Sequence, residues 1–89
     1  MLPLNLINEY MLKVKDWALE STAIVKDFTF GNFKQALEFV NKVGEIAEKH
    51  NHHPDITISY NKVRLTLTTH HEHGLTSKDF EVAEEIDKI

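Results

Sequence analysis

The sequence predicts an α+β domain in which a four-stranded antiparallel sheet carries helices packed on one face, in the order α-β-β-α-β-β-α. Two pairs of short segments lie on either side of a brief turn, and in three of the four segments apolar residues recur at every second position, which is typical of β-hairpins. Three other segments repeat apolar residues at helical spacing. Because helices separate whole hairpins and not single strands, an antiparallel sheet with helices on one side is favoured.

The first helix is predicted over Leu4 to Val14, from four apolar residues at helical spacing. The second helix begins after Asn32, whose side chain is a good N-cap. It delivers Glu48 at its C-terminal end, and Pro54 prevents it from continuing. Its apolar stripe contains Phe33, Leu37, Val40, Val43 and Ala47.

The third helix is predicted to begin after Thr76. Asp79 stands at its third position, so the two side chains form the spacing of a capping box. Leu75 and Phe80 flank this box as a hydrophobic staple. An apolar face then continues through Val82, Ile86 and Ile89.

The first hairpin is predicted from the segments 17–20 and 24–30. In the second segment Ile24, Phe28 and Phe30 share one face by period two, and Lys26 is the single polar residue on it. Glu20-Ser21-Thr22 forms the turn between the two strands.

The second hairpin is predicted with Asn61-Lys62 as its two-residue turn. This register pairs Tyr60 with Val63, Ile58 with Leu65 and Ile56 with Leu67, so that all six apolar residues share one face. Carried to the open end of the hairpin, the same register sets His53 opposite His70. Cross-strand neighbours lie about 5 Å apart at Cβ, so these two histidines are expected to meet.

The composition is that of one small globular domain spanning residues 1–89. The net charge of −4 argues against non-specific binding to nucleic acid or an anionic membrane. The chain has no Cys, which excludes disulfides and thiol catalysis. It has no apolar run of about 20 residues for a membrane span, and its first residues lack the pattern of a signal peptide. A cytoplasmic protein is expected.

All six histidines fall between residues 50 and 73. Histidine titrates close to neutral pH, so such a cluster points to proton transfer or metal binding. Glu48, His52, His53, His70 and Asp79 come from the ends of four predicted elements, where functional residues often gather. Imidazoles with carboxylates, without a nucleophile, favour proton-assisted elimination, addition or isomerisation of a small molecule.

Other interpretations of the same residues stay open at this point. Asp79 serves equally well as a helix cap alone, and Trp17 and Tyr60 are ordinary core residues in most proteins. The main rival is a metal site built from the histidines. The spacing argues against it, because the chain has no helical His-x-x-x-His pair and a structural site needs four converging ligands. The histidines concerned are His50, His52, His53, His70, His71 and His73.

The spacing Glu48-x3-His52-His53-Pro54-x5-Tyr60-x9-His70-x8-Asp79 resembles the signature of the pterin-4a-carbinolamine dehydratases, also called 4a-hydroxytetrahydrobiopterin dehydratases. Several further points fit the family pattern between about residue 15 and residue 88. They are Trp17, Phe28-x-Phe30-x-x-Phe33, Ala47-Glu48-Lys49, Tyr60-Asn61-Lys62-Val63, Leu67-x-Thr69-His70 and Gly74-Leu75-Thr76.

The resemblance implies the same α+β fold, a homodimer or homotetramer, and dehydration of a 4a-hydroxytetrahydropterin to the quinonoid dihydropterin without a metal or organic cofactor. It implies a pterin as the partner molecule and neither nucleic acid nor a membrane. His52, His53 and His70 become the catalytic histidines, with His52 and His70 sharing the acid and base roles and His53 orienting the pterin. The supporting residues become Glu48, Asp79 and, as a candidate pocket wall, Trp17.

Two positions beside the motif depart from the pattern of animal members: Asn51 replaces an acidic residue and Lys78 replaces an arginine. The expected catalytic and supporting positions of the signature are unaffected, so the departures bear on rate or pterin preference. These positions are Glu48, His52, His53, His70 and Asp79. Two other function classes stay open. Some members of the family act as a dimerisation cofactor of a transcription factor through a helical surface, and a pterin-binding protein of another pathway, such as molybdopterin metabolism, would share the motif.

Overall fold

A computed structural model describes residues 1–89 of the chain. It confirms the predicted order α-β-β-α-β-β-α and adds a single 3-10 turn, His70–Glu72, before the last helix. The elements are α1 (Leu4–Met11), β1 (Ala18–Glu20), β2 (Ala23–Thr29), α2 (Phe33–His50), β3 (Asp55–Ser59), β4 (Lys62–Leu67) and α3 (Ser77–Ile86).

The four strands form one antiparallel sheet in the order β1-β2-β4-β3. β4 is central, and α2 carries the chain from β2 across the sheet to the edge strand β3. Since β3 and β4 are antiparallel, the residues before β3 and those after β4 lie at the same edge of the sheet, the one formed by the ends of the strands. The loop of His52 and His53 and the segment that begins with Thr69 are therefore neighbours.

One face of the sheet carries the core and the helices. Val43 of α2 and Phe80 of α3 are almost fully buried against it. The opposite face is polar, and on it Arg64 pairs with Asp27 across β2 and β4. The buried residues that the sheet contributes to the core include Ile24, Val63, Leu65 and Leu67. No helix is long and apolar enough to cross a membrane.

Lys26, the polar residue on the apolar face of β2, is neutralised by the end of α3. Its Nζ lies 2.9 Å from Asp87 Oδ1, and the Lys26 side chain is only 14% exposed. Asp87 also accepts the indole N–H of Trp17 at 3.0 Å and the backbone N–H of Lys15 at 2.9 Å. These bonds hold the segment after α1 against α3. The chain leaves α1 at Met11 for this segment, so the helix is shorter than the predicted one that reached Val14.

The predicted register of the second hairpin is wrong by two residues. Ser59 pairs with Lys62, so the loop residues are Tyr60 and Asn61, and Tyr60 is 67% exposed with φ of 55°. Asn61 fixes this turn through two hydrogen bonds to Phe30. Its side-chain N–H donates to Phe30 O at 2.9 Å, and its backbone carbonyl accepts the Phe30 N–H at 2.8 Å.

The corrected register removes Tyr60 from the predicted apolar face, keeps the other five residues on it, and changes what meets at the mouth of the hairpin. Ile58 now faces Val63 and Ile56 faces Leu65. Continued past Asp55, the pairing brings His53 level with Thr68 and not with His70. The predicted His53–His70 pair is therefore wrong.

The C-terminal end of α2 contacts α3 through one carboxylate. Glu85 Oε1 lies 3.0 Å from His50 Nε2 and 3.3 Å from Lys49 Nζ. The hydrogen bond from His50, with a smaller contribution from Lys49, holds the pKa of Glu85 below its usual value.

Glu85→Gln is expected to destabilise the protein near neutral pH but not in strong acid. A carboxyl group with a lowered folded-state pKa contributes stability above its unfolded pKa, and that stability disappears as pH falls through the folded pKa. The urea midpoint of the variant should therefore lie below that of the wild type around pH 6, and the difference should shrink as pH falls through the acid range. Glu84→Gln is the control, since Glu84 makes no side-chain hydrogen bond. A difference in midpoint that does not change with pH would contradict the electrostatic explanation.

Candidate active site

The predicted histidines lie at one edge of the sheet because two local signals place them there. Asn51 ends α2 in the left-handed conformation, with φ of 49° and ψ of 41°, and the His52 N–H bonds back to Ala47 O at 3.1 Å. Pro54 then favours an extended backbone, which leads directly into β3. His52 and His53 thus occupy the short connection between helix and strand, beside the end of β4.

A cleft of about 290 Å³ opens at this edge. It lies near the lower end of the volumes typical of small-molecule sites, so it is of a size for one ring system. The structure brings the three predicted catalytic histidines together in its lining. The lining residues are Asn51, His52, His53, Thr68, Thr69, His70 and His71.

His52 is paired with a buried carboxylate. Its Nε2 lies 2.6 Å from Asp79 Oδ1, and the Asp79 side chain is fully buried. Asp79 Oδ2 accepts the Thr69 hydroxyl and the Thr76 backbone N–H, both at 2.9 Å. Asp79 therefore caps α3 and contacts His52 at once, which joins the two interpretations that the sequence left open.

His53 has a carboxylate partner of its own. Its Nε2 bonds Glu48 Oε2, one turn back in α2. Both side chains are more than half exposed. Pairs this exposed contribute little to stability, so this contact orients the imidazole more than it holds the fold.

His70 faces the cleft from the other side. It begins the 3-10 turn, is exposed, and forms no side-chain hydrogen bond within the chain. The turn is closed by paired backbone bonds between Thr69 and Gly74, at 3.1 and 3.4 Å. Both ring nitrogens of His70 are therefore free to exchange protons with a bound molecule.

Trp17 does not line the cleft. It is 6% exposed, belongs to the core and donates its indole N–H to Asp87. Its place before β1 is level with Lys26, about three residues along the strands from the histidine edge, or roughly 10 Å. Its predicted role as a pocket wall stays a prediction.

Thr69 is a site residue that the sequence reasoning missed. It is 2% exposed and bonded to Asp79. Its signal was present, because the alternation of Val63, Leu65 and Leu67 extends to position 69 and predicts an inward-facing side chain. A buried hydroxyl requires a partner, and that partner is at the site.

Comparison with known proteins agrees with this arrangement. The family model described as pterin 4 alpha carbinolamine dehydratase matches residues 2–89. The chain belongs to this family. The predicted resemblance is thereby confirmed.

The chain aligns with relatives in this family over most of its own length and of theirs. Proteins named "Putative pterin-4-alpha-carbinolamine dehydratase" from Sulfurisphaera tokodaii and Chloroflexus aurantiacus are 48% and 51% identical to this chain over 83 residues, which is 93% of this chain and 89% of each relative. A crystal structure described as a transcriptional coactivator/pterin dehydratase from Brucella melitensis superposes with a TM-score of 0.92 at 32% identity, covering 98% of this chain and 95% of that one.

A more distant neighbour shares the family's fold alone. It is described as a pterin dehydratase-like protein that acts as a RuBisCO assembly factor in the alpha-carboxysome, with a TM-score of 0.66 at 20% identity over 81% of this chain and 83% of that one. Members of this fold thus carry names from more than one class of function.

The cleft of this family member shows no arrangement of metal ligands. No group of three or more His, Asp or Glu side chains is placed to hold a metal ion. Two of its histidines instead each contact one carboxylate. The arrangement is suited to moving protons, since a neutral imidazole both donates and accepts near pH 7.

Proposed function

We propose that this protein catalyses the dehydration of a 4a-hydroxytetrahydropterin to the quinonoid dihydropterin by histidine acid–base catalysis. The observation that carries the proposal is the pairing of His52 with the fully buried Asp79 in a cleft that His70 shares. Membership of the dehydratase family supports the choice of substrate.

The reaction needs one proton delivered and one removed. An acid protonates the 4a-hydroxyl, the C4a–O bond breaks with its electron pair going to oxygen, and water leaves. A base then takes a proton from a ring nitrogen, and the freed electron pair forms the C=N bond. The substrate is neither oxidised nor reduced overall, so the step requires no organic cofactor, and we propose none.

The two proton transfers are assigned to His52 and His70. They approach the cleft from the α2–β3 connection and from the 3-10 turn, so one residue can serve the hydroxyl while the other serves the ring nitrogen. His53, held by Glu48, orients the pterin. Trp17 is retained as a candidate pocket wall, tested by the KM of Trp17→Phe.

In the cell this activity would return the pterin to tetrahydrobiopterin recycling. We propose that residues 1–89 act there as a single cytoplasmic domain, in a homodimer or homotetramer, without direct contact with nucleic acid or membrane. A pterin-binding role in another pathway, such as molybdopterin metabolism, is the alternative that shares this site.

Stopped-flow ultraviolet absorbance tests the proposal by following loss of the 4a-hydroxytetrahydropterin with and without the protein, in the presence of a chelator. We expect acceleration that survives chelation and is lost in His52→Ala and in His70→Ala. A wild-type rate equal to the spontaneous rate would overturn the dehydratase proposal. Pterin binding without turnover, seen by fluorescence titration, would then favour the alternative.

A role in protein association is the second candidate function, and one observation favours it. Phe33 and Leu37 on α2 are 48% and 41% exposed, and the partly buried Val40 and Gly44 continue the same helical face. A Cβ added at Gly44 would meet no atom within 4 Å. Exposed apolar surface of this kind marks an interaction site.

Leu37→Glu is expected to shift the protein towards the monomer, because it places a charge in the centre of this apolar face. Light scattering coupled to size-exclusion chromatography measures the molar mass. Asn8→Glu adds the same charge to exposed α1 and should leave the mass unchanged. If the wild type is an oligomer and Leu37→Glu keeps the same molar mass, the oligomer interface lies elsewhere.

A further inference from the structure

Thr69 lines the cleft and bonds Asp79, but neither proposed proton transfer involves it. It follows β4, is 2% exposed, and is the chain neighbour of His70. Its hydroxyl lies 2.9 Å from Asp79 Oδ2 and 2.8 Å from Thr76 Oγ1. Both partners belong to the start of α3, so this one hydroxyl joins the end of the sheet to the helix that carries Asp79.

The directions of these bonds follow from the protons available. A carboxylate only accepts, so Thr69 donates its single hydroxyl proton to Asp79 Oδ2. The contact between the two hydroxyls is then donated by Thr76. The Asp79 backbone N–H faces Thr76 in the capping box and bonds the Thr76 backbone carbonyl at 3.2 Å. The two hydroxyl protons, of Thr76 and of Thr69, both point towards the carboxylate, and each bond strengthens the next.

The chain of bonds decides which nitrogen of His52 is free. Thr69 and the Thr76 N–H occupy Oδ2, which leaves Oδ1 to face His52 Nε2. An ionised carboxylate offers no proton, so the neutral imidazole carries its proton on Nε2 and its lone pair on Nδ1. Nδ1 has no partner in the chain, and no buried polar side-chain atom lacks one. Nδ1 is therefore accessible to solvent, in a residue that lines the cleft.

We propose that Thr69 is a positioning residue: with Thr76 it fixes the Asp79 carboxylate, so that His52 is held as the Nε2–H tautomer and exchanges protons with substrate through Nδ1. The proton exchange rests on the proposed function, whereas the tautomer is a property of the resting protein. Because Thr69 also precedes His70, one residue governs the placement of both proton-transfer groups.

Thr69→Val tests this, since it exchanges the hydroxyl for a methyl group and keeps the β-branched shape. Nitrogen-15 NMR of the imidazoles reports the His52 tautomer without reference to activity. In the wild type we expect a protonated Nε2 and an unprotonated Nδ1. In the variant Asp79 keeps only the Thr76 N–H on Oδ2, so the carboxylate should turn away from His52 part of the time and a fraction of the imidazole should carry its proton on Nδ1. kcat should fall roughly ten- to a hundredfold, as expected for a misplaced catalytic group, with KM nearly unchanged.

Three further variants make the test specific. Thr69→Ser keeps the hydroxyl and should restore both the tautomer and kcat. Thr66→Val makes the same exchange on the polar face of β4, away from the site, and should change neither. If circular dichroism shows Thr69→Val to be unfolded, Thr69→Cys offers a weak donor of similar size and should show a partial loss of both.

The outcomes separate this inference from the proposed function. A wild-type His52 protonated on Nδ1 would overturn it, as would folded Thr69→Val or Thr69→Cys with the wild-type tautomer and kcat. A wild type without dehydratase activity, but with an Nε2–H tautomer that Thr69→Val loses, would overturn the proposed reaction and support the positioning role.

Discussion

His52→Ala is expected to lower kcat for dehydration by about 10² to 10⁴, the range that a positioned acid or base contributes. His52 is the cleft histidine whose partner carboxylate is fully buried, so its ring is the most firmly held of the three. Alanine removes the proton-transfer group but leaves the Asp79 cap of α3 in place. Stopped-flow turnover at saturating substrate measures the loss, with far-ultraviolet circular dichroism to establish the fold.

Asp79→Asn is expected to reduce kcat by a comparable factor, for a different reason. An amide has one accepting atom and one donating atom. Its oxygen would accept from Thr69 and the Thr76 N–H, so its NH₂ group would face His52 and force the proton onto Nδ1. The same change of tautomer accounts for a loss of about 10⁴ when the triad aspartate of a serine protease becomes asparagine.

Controls for this pair come from the chain and from the double variant. Asp16→Asn makes the same chemical change at an exposed residue with φ of 60°, a conformation that Asn also adopts, and should leave kcat unchanged. The His52→Ala/Asp79→Asn double variant should be no slower than His52→Ala, because residues that act as a unit are not additive. A double variant that loses both factors in full would show that Asp79 acts independently of His52.

Local signals in the sequence were sufficient for the starts of α2 and α3. The Asn32 side chain accepts the Gln35 N–H at 2.8 Å, and Thr76 with Asp79 forms the predicted capping box. Each of these bonds joins residues three positions apart, so the spacing alone carries the prediction.

The register of the second hairpin was beyond the reach of the same reasoning. A shift of two residues keeps the apolar residues that remain in the strands on the same face, so alternation cannot detect it. The turn is set by the bonds between Asn61 and Phe30, which are 31 residues apart. A contact with another loop therefore overrides the local preference for a turn at Asn61-Lys62.

The site was predictable as a set of residues but not as a set of contacts. The sequence correctly predicted that His52, His53 and His70 lie at one edge of the sheet, because the ends of a helix and of two strands must meet there. Whether Asp79 or Glu48 pairs with a given histidine depends on how α3 packs against the sheet. That packing follows from Phe80 and its neighbours in the core, which carry no information on a single hydrogen bond.

Asp87→Ala is expected to lower the free energy of unfolding by about 3 kcal/mol, the low end of the range for breaking a buried ion pair, because the Lys26–Asp87 pair keeps some contact with solvent. Lys26 would remain 5.0 Å from the Phe28 ring and 5.9 Å from the Trp17 ring without its counter-ion, and the Trp17 N–H would lose its acceptor. A domain of this size has a total stability of only about 5 to 15 kcal/mol. The midpoint of thermal unfolding should fall by roughly 12 to 24 °C.

A partner substitution distinguishes an unpaired charge from lost packing. Lys26→Met removes the cation and keeps a chain of similar length, so Lys26→Met/Asp87→Ala should recover more than half of the lost stability. Asp16→Ala, at an exposed residue without a side-chain partner, should change the midpoint little. A double variant as unstable as Asp87→Ala alone would assign the effect to the Trp17 and Lys15 bonds.

Asp87→Ala also tests whether the C-terminal end of α3 helps to position the site. Asp79 lies in the first turn of α3 and Asp87 just beyond its last residue, and each bonds a different part of the chain. Since Thr69, Thr76 and His52 hold Asp79 without reference to Asp87, we expect folded Asp87→Ala to keep the wild-type kcat well below its unfolding midpoint. A lower kcat in the folded variant would mean that the far end of the helix also positions the site.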